Sequence, residues 1–136
     1  MAAGPEVHPK PGLPSAVRIY EVGPRDGLQA EAAIVPLAVK LELIDRLADA
    51  GLTAIEATSF VSSRWVPQLA DADELFAALS RRPGVRYPVL VPNQRGFDRA
   101  LAAGADEIAI FVSATETFAR ANLALAVPGR WSWPHR

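Results

Sequence analysis

Short apolar runs alternate with amphipathic helical segments along most of this 136-residue chain. The runs are rich in β-branched and aromatic residues, as strands are, and cover residues 17–20, 53–58, 87–91 and 107–112. Segments with apolar residues at helical spacing separate the runs and begin at Pro36, Pro67 and Asn93. Strands that alternate with helices of this length imply right-handed βαβ crossovers and a parallel sheet.

An internal similarity supports the alternation. The segment AGLTAI at residues 50–55 matches AGADEI at residues 103–108 in helix end, glycine and strand start. A complete (β/α)8 barrel takes about 250 residues. We therefore predict an α/β fold made of parallel β/α units of a TIM barrel, about half a barrel, with four strands and three to four helices.

The predicted helices follow simple residue patterns. In the first, Leu37, Leu41, Ile44 and Ala48 recur on one face, and Lys40 is assigned to the solvent-facing side. The second is predicted to run from Pro67 to the arginine pair 81–82. In the third, Asn93 is predicted to be the N-cap.

Composition excludes several classes of function. The formal net charge is -1 and the pI is about 6.1, so we expect no nucleic-acid or anionic-membrane partner. No apolar run approaches the roughly 20 residues that cross a bilayer. The sequence has no cysteine, which excludes disulfides and thiolate sites, and we expect a cytoplasmic location.

The two ends of the sequence lack the alternating pattern. Residues 1–16 are rich in proline and are predicted to be a flexible tail, without the apolar segment of a signal peptide. Residues 124–136 have neither helical nor strand periodicity. We therefore assign residues 17–123 to the half-barrel domain.

One loop concentrates the charged residues that could carry chemistry. The segment EVGPRDGLQ at residues 21–29 follows the first apolar run and precedes the first helix. In parallel α/β folds, ligands bind at the carboxyl ends of strands, where Arg25 and Asp26 are expected to lie. Glu56, near the end of the second run, is a further candidate. By pattern alone Arg25 and Asp26 also suit a turn with a local ion pair, and Glu56 suits a structural partner of Arg25 equally well.

This loop, together with IEATSFV at residues 55–61 and VLVPN at residues 89–93, closely resembles hydroxymethylglutaryl-CoA lyases. The resemblance extends over RWVPQ at residues 64–68 and FVSATE at residues 111–116. That family belongs to the metal-dependent TIM-barrel lyases and acyl-CoA synthases with an Asp-Arg-Glu signature. A citramalate- or isopropylmalate-type synthase is disfavoured, because that branch usually has a glutamate where Leu28 stands.

The resemblance implies retro-aldol cleavage of 3-hydroxy-3-methylglutaryl-CoA to acetyl-CoA and acetoacetate, assisted by Mg²⁺ or Mn²⁺. By the resemblance, Arg25 is catalytic and polarises the substrate carbonyl that becomes an enolate. Asp26 is the metal ligand, Glu56 is catalytic or holds Arg25 in place, and Gln29 binds substrate.

The sequence also departs from the family pattern. The family completes its metal site with a His-x-His pair and an asparagine, and a glycine-rich loop carries a cysteine over the site. The only histidines here are His8 and His135, outside the matching segment. We therefore expect an N-terminal half of the lyase barrel, from truncation or a frameshift near residue 123, with incomplete activity. The alternative is a non-catalytic half-barrel that self-associates, aggregates or pairs with a complementary chain.

Overall fold

A computed structural model describes residues 11–112, together with residues 115, 117 and 118. The strands are β1 (Thr58–Ser59), β2 (Val89–Leu90) and β3 (Ile108–Ala109). The α-helices are α1 (Leu37–Asp49), α2 (Ala72–Ala78) and α3 (Gln94–Ala102). A π-helical turn at Gly23–Gly27 and a 3₁₀ turn at Pro67–Leu69 complete the described elements. The predicted segment 124–136 and tail residues 1–10 lie outside the described residues.

The three strands form one parallel sheet in the order β1-β2-β3. Thr58 lies opposite Val89, and Val89 lies opposite Ile108. An α-helix separates each strand from the next, so the predicted parallel β/α alternation is confirmed. No described helix is long and apolar enough to cross a membrane.

The predicted first strand at residues 17–20 does not form in the described structure, and the nearest pairing is an isolated bridge at Glu21. Glu21 pairs in parallel with Ile55, and Val17 and Ile19 are 80% and 59% exposed. A ladder needs successive residues to pair, but in the described structure only Glu21, after this run, exchanges backbone hydrogen bonds with the neighbouring segment, at Ala54 and Glu56. The count of four strands is therefore corrected to three strands and two isolated bridges, Glu21–Ile55 and Ala54–Arg86, in the part of the chain that the structure describes.

The second predicted helix is also shorter than its pattern. Its apolar face is buried as predicted, but Pro67–Leu69 forms a 3₁₀ turn and α2 begins only at Ala72. The helix ends at Ala78, before the arginine pair 81–82. By contrast, the predicted cap of α3 is confirmed, since the Asn93 side chain accepts a hydrogen bond of 2.9 Å from the backbone N–H of Gly96.

The core lies between the helices and one face of the sheet. Ile55 and Ala57 point into it, together with Ile44 of α1 and Leu75 and Phe76 of α2. Because side chains alternate along a strand, Glu56 and Thr58 point to the opposite face. The apolar cluster therefore fixes the strand so that Glu56 points away from the helices.

The prediction that Lys40 lies on the solvent side of α1 is wrong. Its side chain is 1% exposed, and Nζ donates to both carboxylate oxygens of Asp71 at 2.7 and 2.9 Å and to the carbonyl of Gln68 at 2.6 Å. The Gln68 amide donates in turn to the carbonyl of Glu31. A buried ammonium needs such partners, and here they tie α1 to the turn before α2.

Lys40→Met is expected to lower the free energy of unfolding by about 2 kcal/mol, because it removes one partner of a buried ion pair and leaves Asp71 unpaired. The matched control is Arg46→Met on the same helix, whose pair with Glu42 is exposed on both sides. The control should change stability by less than about 0.5 kcal/mol. Equal effects of the two substitutions in urea denaturation would contradict the structural role of Lys40.

Candidate active site

The loop that carries Arg25 and Asp26 is held in a tight turn. The backbone N–H groups of Arg25 and Asp26 both donate to the carbonyl of Val22, at 3.1 and 2.7 Å. The Glu21 carboxylate accepts a hydrogen bond of 2.6 Å from the backbone N–H of Gly23. A Cβ at residue 23 would lie 2.7 Å from that carboxylate oxygen, so a larger residue there would displace the Glu21 side chain from this bond. These bonds fix the direction in which Arg25 leaves the backbone.

Hydrogen bonds between Glu21 and the neighbouring strand segment bring Arg25 close to Glu56. The Glu21 N–H donates to the carbonyl of Ala54 at 2.9 Å, and the Glu56 N–H donates to the carbonyl of Glu21 at 2.7 Å. Arg25 Nε then reaches Glu56 Oε1 at 2.5 Å. The two residues are far apart in sequence, and the parallel bridge between Glu21 and Ile55 brings them together.

The charges at this site differ in exposure. Glu56 is 3% exposed, the Arg25 side chain is 17% exposed, and the Asp26 side chain is 63% exposed. Arg25 Nη1 donates to Asp26 Oδ1 at 2.7 Å. The guanidinium therefore lies between a buried carboxylate and one that faces solvent, and it neutralises the buried charge.

Tyr20 also contacts Glu56, which the sequence pattern did not predict. Its hydroxyl donates to Glu56 Oε2 at 2.8 Å. Burial of the hydroxyl end and then the bond to the negative Glu56 raise the pKa of Tyr20 well above its ordinary value. The pattern of residues 17–20 predicts Tyr20 only as a strand residue. The available signal was an aromatic hydroxyl directly before the charged loop.

The structure does not bring Gln29 into this group. Gln29 is exposed at the end of the loop, and no hydrogen bond joins it to the other three predicted site residues in the described part of the chain. Arg25, Asp26 and Glu56 form one connected set through hydrogen bonds.

The residues of this site do not by themselves fit a divalent cation. Such ions take about six oxygen ligands, and Asp26 supplies one carboxylate whose Oδ1 is already bonded to Arg25. Within residues 11–112 and the three further described residues, no group of three or more His, Cys, Asp or Glu side chains could hold a metal. A metal at Asp26 would need ligands beyond the described residues.

A second charged region lies around the residues directly before β2 and β3. A cavity there is lined by Arg81, Arg82, Arg86, Tyr87 and Glu107. Its arginines are engaged in the structure: Arg82 pairs with Asp45 and Asp49, Arg86 pairs with Glu107, and Arg81 donates to the carbonyl of Gly104. The hydrogen bond from Arg82 holds the pKa of Asp49 below its ordinary value. This region is a set of ion pairs joining helix and strand ends.

Comparison with known proteins agrees with this geometry. The family model described as HMGL-like matches residues 16–128, which is most of the sequence. The chain belongs to the HMGL-like family. It is 55% identical over 125 residues to the cytoplasmic 3-hydroxy-3-methylglutaryl-CoA lyase of mouse, which covers 92% of this chain and 36% of the mouse protein.

Solved structures of HMG-CoA lyases are similar as well. The hydroxymethylglutaryl-CoA lyase of Pseudomonas aeruginosa matches with a TM-score of 0.80 and 48% identity, over 85% of this chain and 39% of the other. An HMG-CoA lyase of Acinetobacter baumannii in complex with coenzyme A and 3-methylmalate matches with a TM-score of 0.77 and 40% identity, over 80% and 36% of the two chains. These neighbours are TIM-barrel enzymes, so the α/β units described above are part of that fold. The chain spans about a third of the length of the relatives that it matches.

Proposed function

We propose that this chain carries the enolate-stabilising part of a hydroxymethylglutaryl-CoA lyase active site. The observation that supports the proposal is the position of the Arg25 guanidinium. It is bonded to buried Glu56 on one side and to solvent-exposed Asp26 on the other. The substrate is 3-hydroxy-3-methylglutaryl-CoA, and the products are acetyl-CoA and acetoacetate. We propose residues 17–123 as the matching part of the lyase domain.

The reaction requires stabilisation of negative charge on an oxygen. The carbon–carbon bond between C2 and C3 of the acyl group breaks, and its electron pair moves into the thioester to form an enolate. The C3 hydroxyl gives up its proton and becomes the ketone of acetoacetate, and protonation of the enolate gives acetyl-CoA. A fixed cationic donor beside the thioester oxygen lowers the barrier, because it is already oriented when charge develops.

Arg25 has the free donor that this role needs. Nε is bonded to Glu56 and Nη1 to Asp26, whereas Nη2 has no hydrogen-bond partner among the described residues. The planar guanidinium fixes the direction of that third nitrogen once the other two are bonded. We propose that Arg25 donates a hydrogen bond to the thioester oxygen and that Glu56 holds Arg25 in this orientation. Gln29 is proposed as a further substrate hydrogen-bond donor.

Asp26 is proposed as this chain's ligand to a divalent metal, Mg²⁺ or Mn²⁺. Hard cations prefer carboxylate oxygens, and Asp26 Oδ2 is unbonded among the described residues. When bound, the metal would supply positive charge to substrate oxygens. The rest of its ligands would come from outside the described segment. We place the activity in the cytoplasm, as the mouse relative is named, although other relatives are named mitochondrial.

A segment exchange tests the proposed function. Residues 16–128 of this chain replace the matching segment of the Pseudomonas aeruginosa lyase, and acetoacetate formation from 3-hydroxy-3-methylglutaryl-CoA is measured. We expect the exchanged enzyme to turn over. A folded exchanged enzyme without activity would contradict the proposal.

In the exchanged enzyme, Arg25→Met should lower kcat by about 10²–10³-fold with a much smaller change in KM, because the guanidinium acts mainly on the transition state. The matched control is Arg46→Met, an exposed arginine on α1 that should leave both constants unchanged. A loss confined to KM would exclude the role given to Arg25.

Asp26→Asn should raise the Mg²⁺ or Mn²⁺ concentration needed for half-maximal activity by about tenfold or more, because an amide oxygen lacks the charge that a hard cation prefers. Asp98→Asn on the exposed surface of α3 is the control. An unchanged metal requirement in Asp26→Asn would show that Asp26 is not a ligand.

A non-catalytic half-barrel is the second candidate, and exposed apolar side chains favour it. Val17 and Ile19 lie before the first bridge, and Ile110 and Val112 follow β3; they are 80%, 59%, 48% and 73% exposed. Such edges favour self-association, aggregation or pairing with a complementary chain. Acetoacetate formed by the purified chain alone would exclude the non-catalytic candidate.

A further inference from the structure

Glu56 is held from two sides, and only one of its partners belongs to the proposed reaction. Arg25 Nε bonds to Oε1, and the Tyr20 hydroxyl bonds to Oε2 at 2.8 Å. Both bonds are charge-assisted, which makes them stronger than bonds between neutral groups. Together they occupy one site on each carboxylate oxygen.

Two bonds on opposite oxygens fix a carboxylate more tightly than one. A glutamate side chain has three rotatable bonds, and a single partner on Oε1 leaves the plane of the carboxylate free to turn about that contact. The Tyr20 hydroxyl removes this freedom. Since Arg25 takes its orientation from Glu56, the position of its free nitrogen then depends on Tyr20 as well.

The backbone makes Tyr20 a rigid partner. Tyr20 directly precedes Glu21, whose N–H and carbonyl are both bonded to the strand segment that carries Glu56. Tyr20 is 40% exposed as a residue, but its hydroxyl donates to Glu56. The Tyr20 phenol and the Glu56 carboxylate are therefore carried by two backbone segments that are hydrogen-bonded to each other.

We propose that Tyr20 is a positioning residue for Arg25, acting through Glu56. This inference rests on the proposed lyase function for its catalytic consequence. Tyr20 is not assigned as a proton donor to substrate, because its hydroxyl proton is already used in the bond to Glu56. The charged groups that act on the phenol are Glu56, Glu107 and Arg25.

The first test follows the Arg25 Nε–H by NMR in the 136-residue chain itself. Tyr20→Phe removes only the hydroxyl, and we expect exchange of the Arg25 Nε–H with solvent to become at least about tenfold faster, because Glu56 becomes mobile. Tyr87→Phe is the control, since Tyr87 is the other tyrosine of the chain and its hydroxyl lies beside the backbone of Arg82. An unchanged exchange rate in folded Tyr20→Phe would overturn the proposal.

The second test measures the phenol directly by ultraviolet absorbance in the Tyr87→Phe background, where Tyr20 is the only tyrosine. The raised pKa predicts that Tyr20 stays protonated at pH 11, where a free phenol, with a pKa of about 10, is largely ionised. Glu56→Gln removes the negative acceptor and should move the titration down toward the ordinary value. If Tyr20 titrates like a free phenol in the Tyr87→Phe background with Glu56 intact, the proposal is overturned.

The third test concerns catalysis in the exchanged enzyme. Tyr20→Phe should lower kcat by about tenfold or more with KM changed less than about twofold, because the displaced guanidinium weakens only transition-state binding. Unchanged kcat would overturn the catalytic consequence. If the enzyme with the replaced segment and Tyr20 intact is inactive, the proposed function fails. The NMR measurement of Arg25 Nε–H exchange with solvent and the absorbance titration of Tyr20 still decide whether Tyr20 positions Arg25.

Discussion

The ion pair between Arg25 and Glu56 is the interaction on which the candidate site depends. Glu56 is almost fully buried on the face of the sheet opposite the apolar core, and a carboxylate in that position needs a cation. Arg25 can supply the cation only because the Glu21 backbone is bonded to the strand segment on both sides of Ile55. The site is therefore a consequence of the parallel pairing, and the apolar cluster around Ile44 and Phe76 supports it from the other face.

Charged contacts have different roles in different parts of the structure. At the candidate site, the set formed by Tyr20, Glu56, Arg25 and Asp26 leaves one guanidinium nitrogen without a partner in the described structure. In the cavity before β2 and β3, Arg82 is engaged with carboxylates on α1. Buried Lys40 joins α1 to the turn before α2. Among these three sets of described residues, the candidate site alone combines a buried charge with an available donor, which is the arrangement that suits binding and chemistry.

Much of the fold followed from periodicity, and the differences have local causes. The β/α alternation and the apolar helix faces could be predicted because they repeat over many residues. The first strand could not, because in the described structure the pairing with the neighbouring segment is made by Glu21 alone and not by residues 17–20. Lys40 lies at a position of α1 where the helical periodicity predicts a solvent-facing residue. Its burial depends on the contact with Asp71, which is distant in sequence. Arg25, Asp26 and Glu56 were predicted from the loop and the family resemblance, whereas Tyr20 depends on a contact across distant segments.

Glu56 and Arg25 act as one unit in the folded chain. A double-mutant cycle with Glu56→Gln and Arg25→Met, measured by urea unfolding, tests it most directly, because it isolates the energy shared by the two side chains. We expect a coupling free energy of about 2 kcal/mol or more, because the pair is largely buried. A coupling free energy below about 0.5 kcal/mol, the value typical of exposed pairs, would contradict it.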